Sequence, residues 1–482
     1  MSGLRKAVLF ASAELYCVLG ANFLIAVLTS RLMPPGDIGI AVVGGAIVAV
    51  VTALREYATP NFLIRNPDVS PESLRGPLTG IILANVVLVT GLALGAPLFG
   101  LLYADTRLTS YLQVVAAGLM VEAFASPVVA VLRREMDFNK ASIVGIVCAA
   151  VTAVTTISMA AAGFGSISFA WGVFFGTSSG ALTAAAIRPR FWLFRPTLAS
   201  SGAMFTFGGY NGTNSLLRQL CDSVPYLVLG QVLSPEIVAY YHRALMLSQL
   251  PGKLLLGGVE AIMIPHLSAQ ARGNRCLASP FLQAVELTTA LYWPALIVLA
   301  VLAHPIVLVL YGPSWLASAP LLQIIALAAL FLFIGKLDVA VFIATGGLPD
   351  LLKRSVIVFP TCTAISTCSA LFGVVPLALS NWLSYPLQLG FSLLFIKRQI
   401  SFSWPELVAP LMRSALVSIM SAIGPVGIIA AFWPRIPTVG ATCLAFALAL
   451  AGWLLAIRLS DHALFLALMR RPDRLRPRSE ET

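Results

Sequence analysis

Long apolar runs, broken by short polar turns, organise this chain. A helix needs roughly 20 mainly apolar residues to cross the ~30 Å hydrocarbon core of a bilayer. Fourteen stretches meet that requirement, at about 7–30, 38–55, 78–100, 111–132, 142–162, 167–187, 205–230, 238–264, 281–310, 317–344, 351–372, 374–396, 412–433 and 439–459. The runs are continuous rather than alternating, which does not fit the strands of a transmembrane barrel. The first run is too long for a removable signal peptide and lacks a cleavage site, so it reads as a span. The longest connection lies at about 56–77, too short to house a soluble domain. The pattern predicts an all-α polytopic membrane protein whose function sits among its helices.

Composition agrees. Of 482 residues, 59% are hydrophobic and 11% are charged, and the mean hydropathy is +0.91. A soluble domain carries about 25% charged residues, so this chain could not cover a water-facing surface. The same hydrophobicity excludes intrinsic disorder. Seven cysteines without CxxC spacing exclude a disulfide scaffold. The net charge of +11 would point to nucleic acid in a soluble protein, but here it reports topology. With an inside N-terminus, 24 of the 31 Lys and Arg fall on the inner side, three fall outside and four lie within spans. Acidic residues divide as 11 inside, three outside and six in spans. Lys and Arg collect in cytoplasmic loops, so both termini are expected in the cytoplasm. No nucleic-acid partner is implied.

Two turns echo each other. The first span is followed by Arg31-Leu32-Met33-Pro34-Pro35-Gly36-Asp37-Ile38-Gly39, and the seventh by Gln231-Val232-Leu233-Ser234-Pro235-Glu236-Ile237. A second echo joins Leu102-Tyr103 to Leu310-Tyr311. These offsets predict a six-helix half at 1–195, another at 196–398, two extra helices at 399–460 and a basic cytoplasmic tail at 461–482. Six is even, so the halves share one orientation. A pseudo-two-fold along the membrane normal would relate them, as in transporters whose substrate path lies between halves.

The Arg31–Gly39 turn resembles the R-L-L-S-P-E-D-F-G turn of Wzx-type polysaccharide flippases, within the multidrug/oligosaccharidyl-lipid/polysaccharide exporter superfamily. Arg133-Arg134-Glu135-Met136-Asp137-Phe138 and the stretch from Asp222 to Pro265 extend the likeness, the latter through Gly230-Gln231, Pro235, Tyr240-Tyr241, Arg243-Ala244, Pro251 and Pro265. Pro34 and Gly36 depart from the usual Ser and Glu. The resemblance implies a secondary transporter of the bacterial cytoplasmic (inner) membrane. It would flip an undecaprenyl-pyrophosphate-linked oligosaccharide for exopolysaccharide or lipopolysaccharide synthesis, through a cavity lined by cations and coupled to an ion gradient. Its partners would be that lipid-linked oligosaccharide, membrane lipid, and a polysaccharide polymerase with its chain-length regulator.

Charges inside spans mark a pathway or a paired site. Arg218 and Asp222 lie mid-span and four residues apart, hence on one face. Arg218 is a candidate ligand for an anionic lipid head, since its planar fork suits phosphate oxygens. Asp222 would tune it or bind a coupling ion; an intrahelical pair is the structural alternative. Lys253 follows Pro251, which removes a backbone hydrogen bond and is expected to kink the helix. There Lys253 could reach a substrate phosphate. Arg243 and Lys336 complete the substrate-binding candidates, with snorkelling to an interface as the alternative for both and for Asp338. Glu14 and Glu122 have no basic residue within reach on their own helices. Burial disfavours the charged form of an isolated carboxylate, which suits ion coupling at either. Glu260 and Glu286 read as interfacial, and His242 and His304 as packing residues. Gly44-Gly45, Gly208-Gly209 and Gly257-Gly258 read mainly as helix contacts.

No HExxH, P-loop or nucleophile-elbow motif occurs, and no cofactor or metal is expected. Two other functions remain open. One is a drug or small-molecule exporter of the same superfamily, against which mid-membrane cations argue for cationic drugs. The other is a membrane polysaccharide polymerase or ligase, which would need an ordered external loop bearing acids or arginines. No such loop is visible, and an enzyme is not expected.

Overall fold

A computed structural model describes residues 2–58, 71–188, 201–273, 277–432 and 439–459. These are helical, and no strand occurs among them. In chain order the helices are α1 (Ser2–Leu32), α2 (Pro35–Arg55), α3 (Pro71–Leu102), α4 (Thr106–Arg134), α5 (Phe138–Ala161), α6 (Ile167–Ile187), α7 (Ser201–Val232), α8 (Pro235–Pro251), α9 (Gly257–Arg272), α10 (Ala278–Val301), α11 (Ala303–Tyr311), α12 (Ser318–Ala328), α13 (Leu337–Thr345), α14 (Leu348–Ala370), α15 (Val374–Gln399), α16 (Trp404–Phe432) and α17 (Val439–Leu459). A π-helical turn at Gly252–Leu256 joins α8 to α9, and a 3-10 segment at Ala329–Lys336 joins α12 to α13.

Every predicted apolar stretch coincides with helix. Ten helical stretches among the described residues are long and apolar enough to cross a membrane. The chain is therefore a multi-pass membrane protein. The stretches on α7, α8–α9, α14 and α15 fall outside those ten. The 17 residues of α8 are too few alone, and the other three intersperse Asn, Gln, Ser or Thr with their apolar residues. The predicted tail 461–482 lies outside the described residues, as do Arg65, Arg190, Arg195 and Arg275, four of the cations counted on the expected inner side.

Two compact units form. One comprises 1–240 with 359–374; the other comprises 241–358 with 375–482. In the first, Gly172, Gly176 and Gly180 place a small residue on every fourth position of α6. Cβ atoms on the first two would strike the Thr156 and Thr152 hydroxyls of α5, and one on the third would rest 3.4 Å from Cys148 Cβ. This spacing lets two backbones approach where lipid supplies no hydrophobic drive for association.

The two echoing turns are built alike. Each ends one helix, leaves two residues outside helix, and restarts with a proline, Pro35 or Pro235. Proline suits a first helical position because its missing N–H has no intrahelical role there. Within the first unit the turns also touch, since a Cβ on Gly39 would collide with the Pro235 backbone carbonyl. Only glycine fits. A Cβ on Gly230 would likewise lie 2.7 Å from Val43 Cγ2, and the Tyr103 hydroxyl donates to the Leu227 carbonyl at 2.9 Å. An ionic cluster lies beside these turns. Asp105 caps α4 by accepting from the Arg107 backbone N–H at 2.9 Å. The Arg107 guanidinium reaches Asp105 at 2.8 Å and Asp37 at 2.7 Å. Burial pushes the Asp105 carboxyl up, but hydrogen bonds from the Arg107 side chain and backbone, with its charge, outweigh burial and hold it below the usual range.

In the second unit, the α16–α17 hairpin docks on α10. Thr289 Oγ1 donates to Ser414 Oγ at 2.7 Å, and Trp453 Nε1 donates to the Ala290 carbonyl at 2.9 Å. Ser421 Oγ donates to the Ala449 carbonyl at 2.9 Å, tying the hairpin to itself.

Candidate functional site

An ionisable group in an apolar helix must find a partner or water, so the site is read from where each one points. Arg55 closes α2, and its Nη2 lies 3.0 Å from Glu122 Oε1 on α4. Its Nη1 donates to Asn85 Oδ1 on α3 at 3.5 Å, and the Asn85 amide in turn donates to the Leu119 carbonyl at 3.2 Å. The Arg55 and Glu122 side chains retain 20% and 32% exposure. A guanidinium has five N–H donors, so this pair stays open to an incoming acceptor. Just beyond Arg55, the Tyr57 and Thr213 hydroxyls meet at 3.0 Å. Gly212 permits that contact, because a Cβ there would lie 2.7 Å from the Tyr57 ring.

Glu14 on α1 has a second cradle. Ser142 Oγ donates to it at 3.0 Å, and Arg133 Nη2 lies 3.3 Å away. Gly145 leaves the slot, since a Cβ there would collide with the carboxylate. Neither Glu14 nor Glu122 is therefore isolated, contrary to the reading along single helices. Their arginines come from other helices, which no helical spacing reveals.

Arg218 and Asp222 have exposed side chains on α7. Gln219 Nε2 donates to Ser223 Oγ at 2.8 Å on the same helix. Lys253 is exposed on the π-helical turn that follows Pro251. The expected kink thus takes the form of a widened turn, a feature frequent at functional sites. Arg243 behaves differently. It is 4% exposed, with its guanidinium 5.6 Å from the ring centroids of both Tyr311 and Trp315. Gly312 presents those rings by adopting φ +96 between them, a conformation open to glycine. Lys336 ends the 3-10 segment, and its side chain lies outside the described residues.

Three expectations are corrected. Asp338 does not snorkel: it is 0% exposed and ion-paired with the buried Arg354 of α14. Ser392 of α15 lies 2.9 Å from both groups, donating to the carboxylate and accepting from the guanidinium. Glu286 is not interfacial: it is 7% exposed and lies under α16, 3.5 Å from Arg413. His304 is exposed rather than packed. The Glu260 side chain lies outside the described residues.

The charges thus fall into two sets. Asp338–Arg354, Glu286 and Arg243 are buried in packing, whereas the Arg413 side chain that meets Glu286 stays 58% exposed. Arg55–Glu122, Arg133–Glu14, Arg218, Asp222 and Lys253 are accessible. Sequence reasoning missed Arg55, Arg133, Arg354 and Arg413. Each stands at or near the end of a predicted apolar stretch and was indistinguishable from the cations that set topology.

Long apolar helices in two units, with ion pairs between helices inside each unit, define a multi-pass membrane protein. The fold matches the solved lipid II flippase MurJ in an inward closed conformation, with a TM-score of 0.76 at 13% identity over 96% of this chain and 100% of that one. It also matches an inward-facing multidrug resistance MATE family transporter of the MOP superfamily, with a TM-score of 0.65 at 15% identity over 79% of this chain and 94% of that one. The chain belongs to the polysaccharide biosynthesis protein family, whose model matches residues 28–320, more than half of its length. Among similar proteins are the lipopolysaccharide biosynthesis protein WzxC of Escherichia coli (strain K12), 20% identical over 66% of this chain and 65% of that protein, and the succinoglycan biosynthesis transport protein ExoT of Rhizobium meliloti (strain 1021), 21% identical over 64% and 63%. The matched stretch thus spans just under two thirds of both relatives.

Proposed function

We propose that this chain is a secondary transporter that flips an undecaprenyl-pyrophosphate-linked oligosaccharide across the bacterial cytoplasmic membrane by alternating access. It would leave the covalent structure of its cargo unchanged. Family membership, the names borne by its relatives and the likeness to a lipid II flippase support this reading. The observation that carries it is the accessible ion pair of Arg55 with Glu122. A pyrophosphate is a stronger anionic acceptor than one carboxylate, and it would compete with Glu122 for the guanidinium. The displaced Glu122 would then be free to bind a coupling ion, linking cargo to ion. Arg218 would supply further positive charge to the headgroup, with Asp222 and Glu14 as alternative coupling sites; Lys253 is a separate candidate ligand. Lys336 remains a candidate ligand. Arg243, held on the Tyr311 and Trp315 rings, is a further candidate ligand. Substrate and ion drive such a cycle only by stabilising inward- and outward-facing states unequally.

In this scheme 1–195 and 196–398 act as the two halves and both termini are cytoplasmic. A polymerase and a chain-length regulator would act on the flipped product. Likeness to a MATE transporter keeps drug export as the second reading; accessible cations disfavour cationic drugs. The test is reconstitution with a labelled lipid-linked oligosaccharide and measurement of leaflet transfer. Arg55→Ala, Arg218→Ala and Lys253→Ala should each slow transfer. Wild-type rates in all three would refute the cationic site.

A further inference from the structure

The corner between α15 and α16 carries chemistry that the transport reading leaves unused. Lys397 and Arg398 end α15 with exposed side chains. Lys397 Nζ lies 4.6 Å from the centroid of the Trp404 ring, and the Arg398 guanidinium lies 4.8 Å from that of Phe395. Among the described residues neither forms an ion pair. Cation–π contact orients a charge without neutralising it, so both cations remain available to an anion.

The platform beneath them is rigid. Trp404 is 43% exposed, but its ring packs edge-on against the buried Phe402 at 6.1 Å, and Phe402 rests on the buried Phe281 at 5.6 Å. A reciprocal capping box fixes the loop: Ser403 N–H donates to Glu406 at 2.8 Å, and Glu406 N–H donates to Ser403 Oγ at 3.4 Å. The carboxylate at this corner is thereby engaged with backbone. An apolar stripe then runs down α16 from the same point, through the exposed Val408, Met412, Leu416 and Ile419. At 1.5 Å per residue it extends ~16 Å, about one leaflet's share of the ~30 Å hydrocarbon core.

We propose that this corner is a docking site for an anionic phospholipid, with its headgroup phosphate on Lys397 and Arg398, its glycerol region against Trp404, and an acyl chain along the α16 stripe. Charge complementarity selects the occupant: two cations on an aromatic ledge at the head of a leaflet-long apolar stripe suit a negative headgroup over a zwitterionic one. Juxtamembrane cations and interfacial Trp are the recurrent means of holding such lipids. The site is independent of what the protein transports, so its failure and that of the flippase reading are separable.

Lipid titration of the purified full chain in detergent, followed by native mass spectrometry, tests the proposal. The probes are phosphatidylglycerol and phosphatidylcholine. Wild type should retain phosphatidylglycerol in preference to phosphatidylcholine. Each surface cation contributes about fivefold to binding an anionic lipid, so Lys397→Ala with Arg398→Ala should weaken phosphatidylglycerol retention by about 25-fold and leave phosphatidylcholine unchanged. The charge-retaining pair Lys397→Arg with Arg398→Lys should keep most of the preference, and circular dichroism and thermal melts of both variants should match wild type. Equal retention of phosphatidylglycerol by wild type and the alanine pair overturns the site, as does a wild type with no preference between the two lipids.

Discussion

Asp338 offers the sharpest energetic test of the fold. Its carboxylate is fully buried and ion-paired with Arg354, and Ser392 bridges the two. Asp338→Ala would leave the Arg354 guanidinium buried without its counter-charge. Removing one partner of a buried ion pair costs about 3–5 kcal/mol. In a unit of this size each kcal/mol lowers the melting temperature by about 2–4 °C, so a fall of roughly 10 °C is expected. Asp338→Asn, which keeps an acceptor oxygen, should lose less. A double variant, Asp338→Leu with Arg354→Met, should recover most of the stability, because an apolar pair of similar volume replaces a desolvated ionic one. The assay is the unfolding temperature in one detergent at a fixed scan rate, since membrane proteins unfold irreversibly and their apparent melting temperature depends on rate. An Asp338→Ala melting temperature within about 2 °C of wild type would refute the reasoning. So would a double variant no better than the single one.

Three further outcomes follow from the geometry. Gly39→Ala should destabilise by at least about 1–3 kcal/mol, because its Cβ meets the Pro235 backbone, and the unfolding temperature reads it; Gly36→Ala, in open space on the same turn, should be silent. Tyr311→Phe should leave stability unchanged or raise it, since the Tyr311 hydroxyl is buried without a hydrogen-bond partner among the described residues; Tyr311→Ala, which removes the ring under Arg243, should cost about 3–5 kcal/mol in the same melt. Asp105 contributes stability that is complete above the usual carboxylate range and is lost as pH falls through its lowered folded value. Protection factors for amide exchange across 103–108, corrected for the intrinsic pH dependence of exchange, should therefore fall in acid and stay level between pH 6 and 8. Asp105→Asn should remove that acid dependence, with an effect below about 1 kcal/mol because Arg107 is exposed.

The one-dimensional pattern revealed what depends on one helix at a time. The apolar runs located the helices, and the Arg31–Gly39 and Gln231–Ile237 turns proved alike in backbone. Pro251 marked the irregular turn that holds Lys253. What it concealed depends on helices meeting. The Gly172-Gly176-Gly180 row was present in the sequence at a diagnostic spacing, and periodicity alone would have found it. The partner of Glu122 could not be found so, because Arg55 lies 67 residues away and reads as a topological charge at a helix end. Asp338 was misread for the matching reason. Its distance from the predicted inner end of a span suggested water, whereas packing of α13, α14 and α15 buries it with Arg354. Depth along a helix does not report which face the helix turns to its neighbours.

The central claim is translocation without chemistry. The most direct measurement follows a lipid-linked oligosaccharide in proteoliposomes containing only this protein, reading leaflet exposure by a membrane-impermeant glycan probe and covalent identity by mass. The glycan should appear in the opposite leaflet with unchanged mass, and Arg55→Ala should slow its appearance. Unchanged leaflet distribution, or a product of altered mass, would contradict that claim.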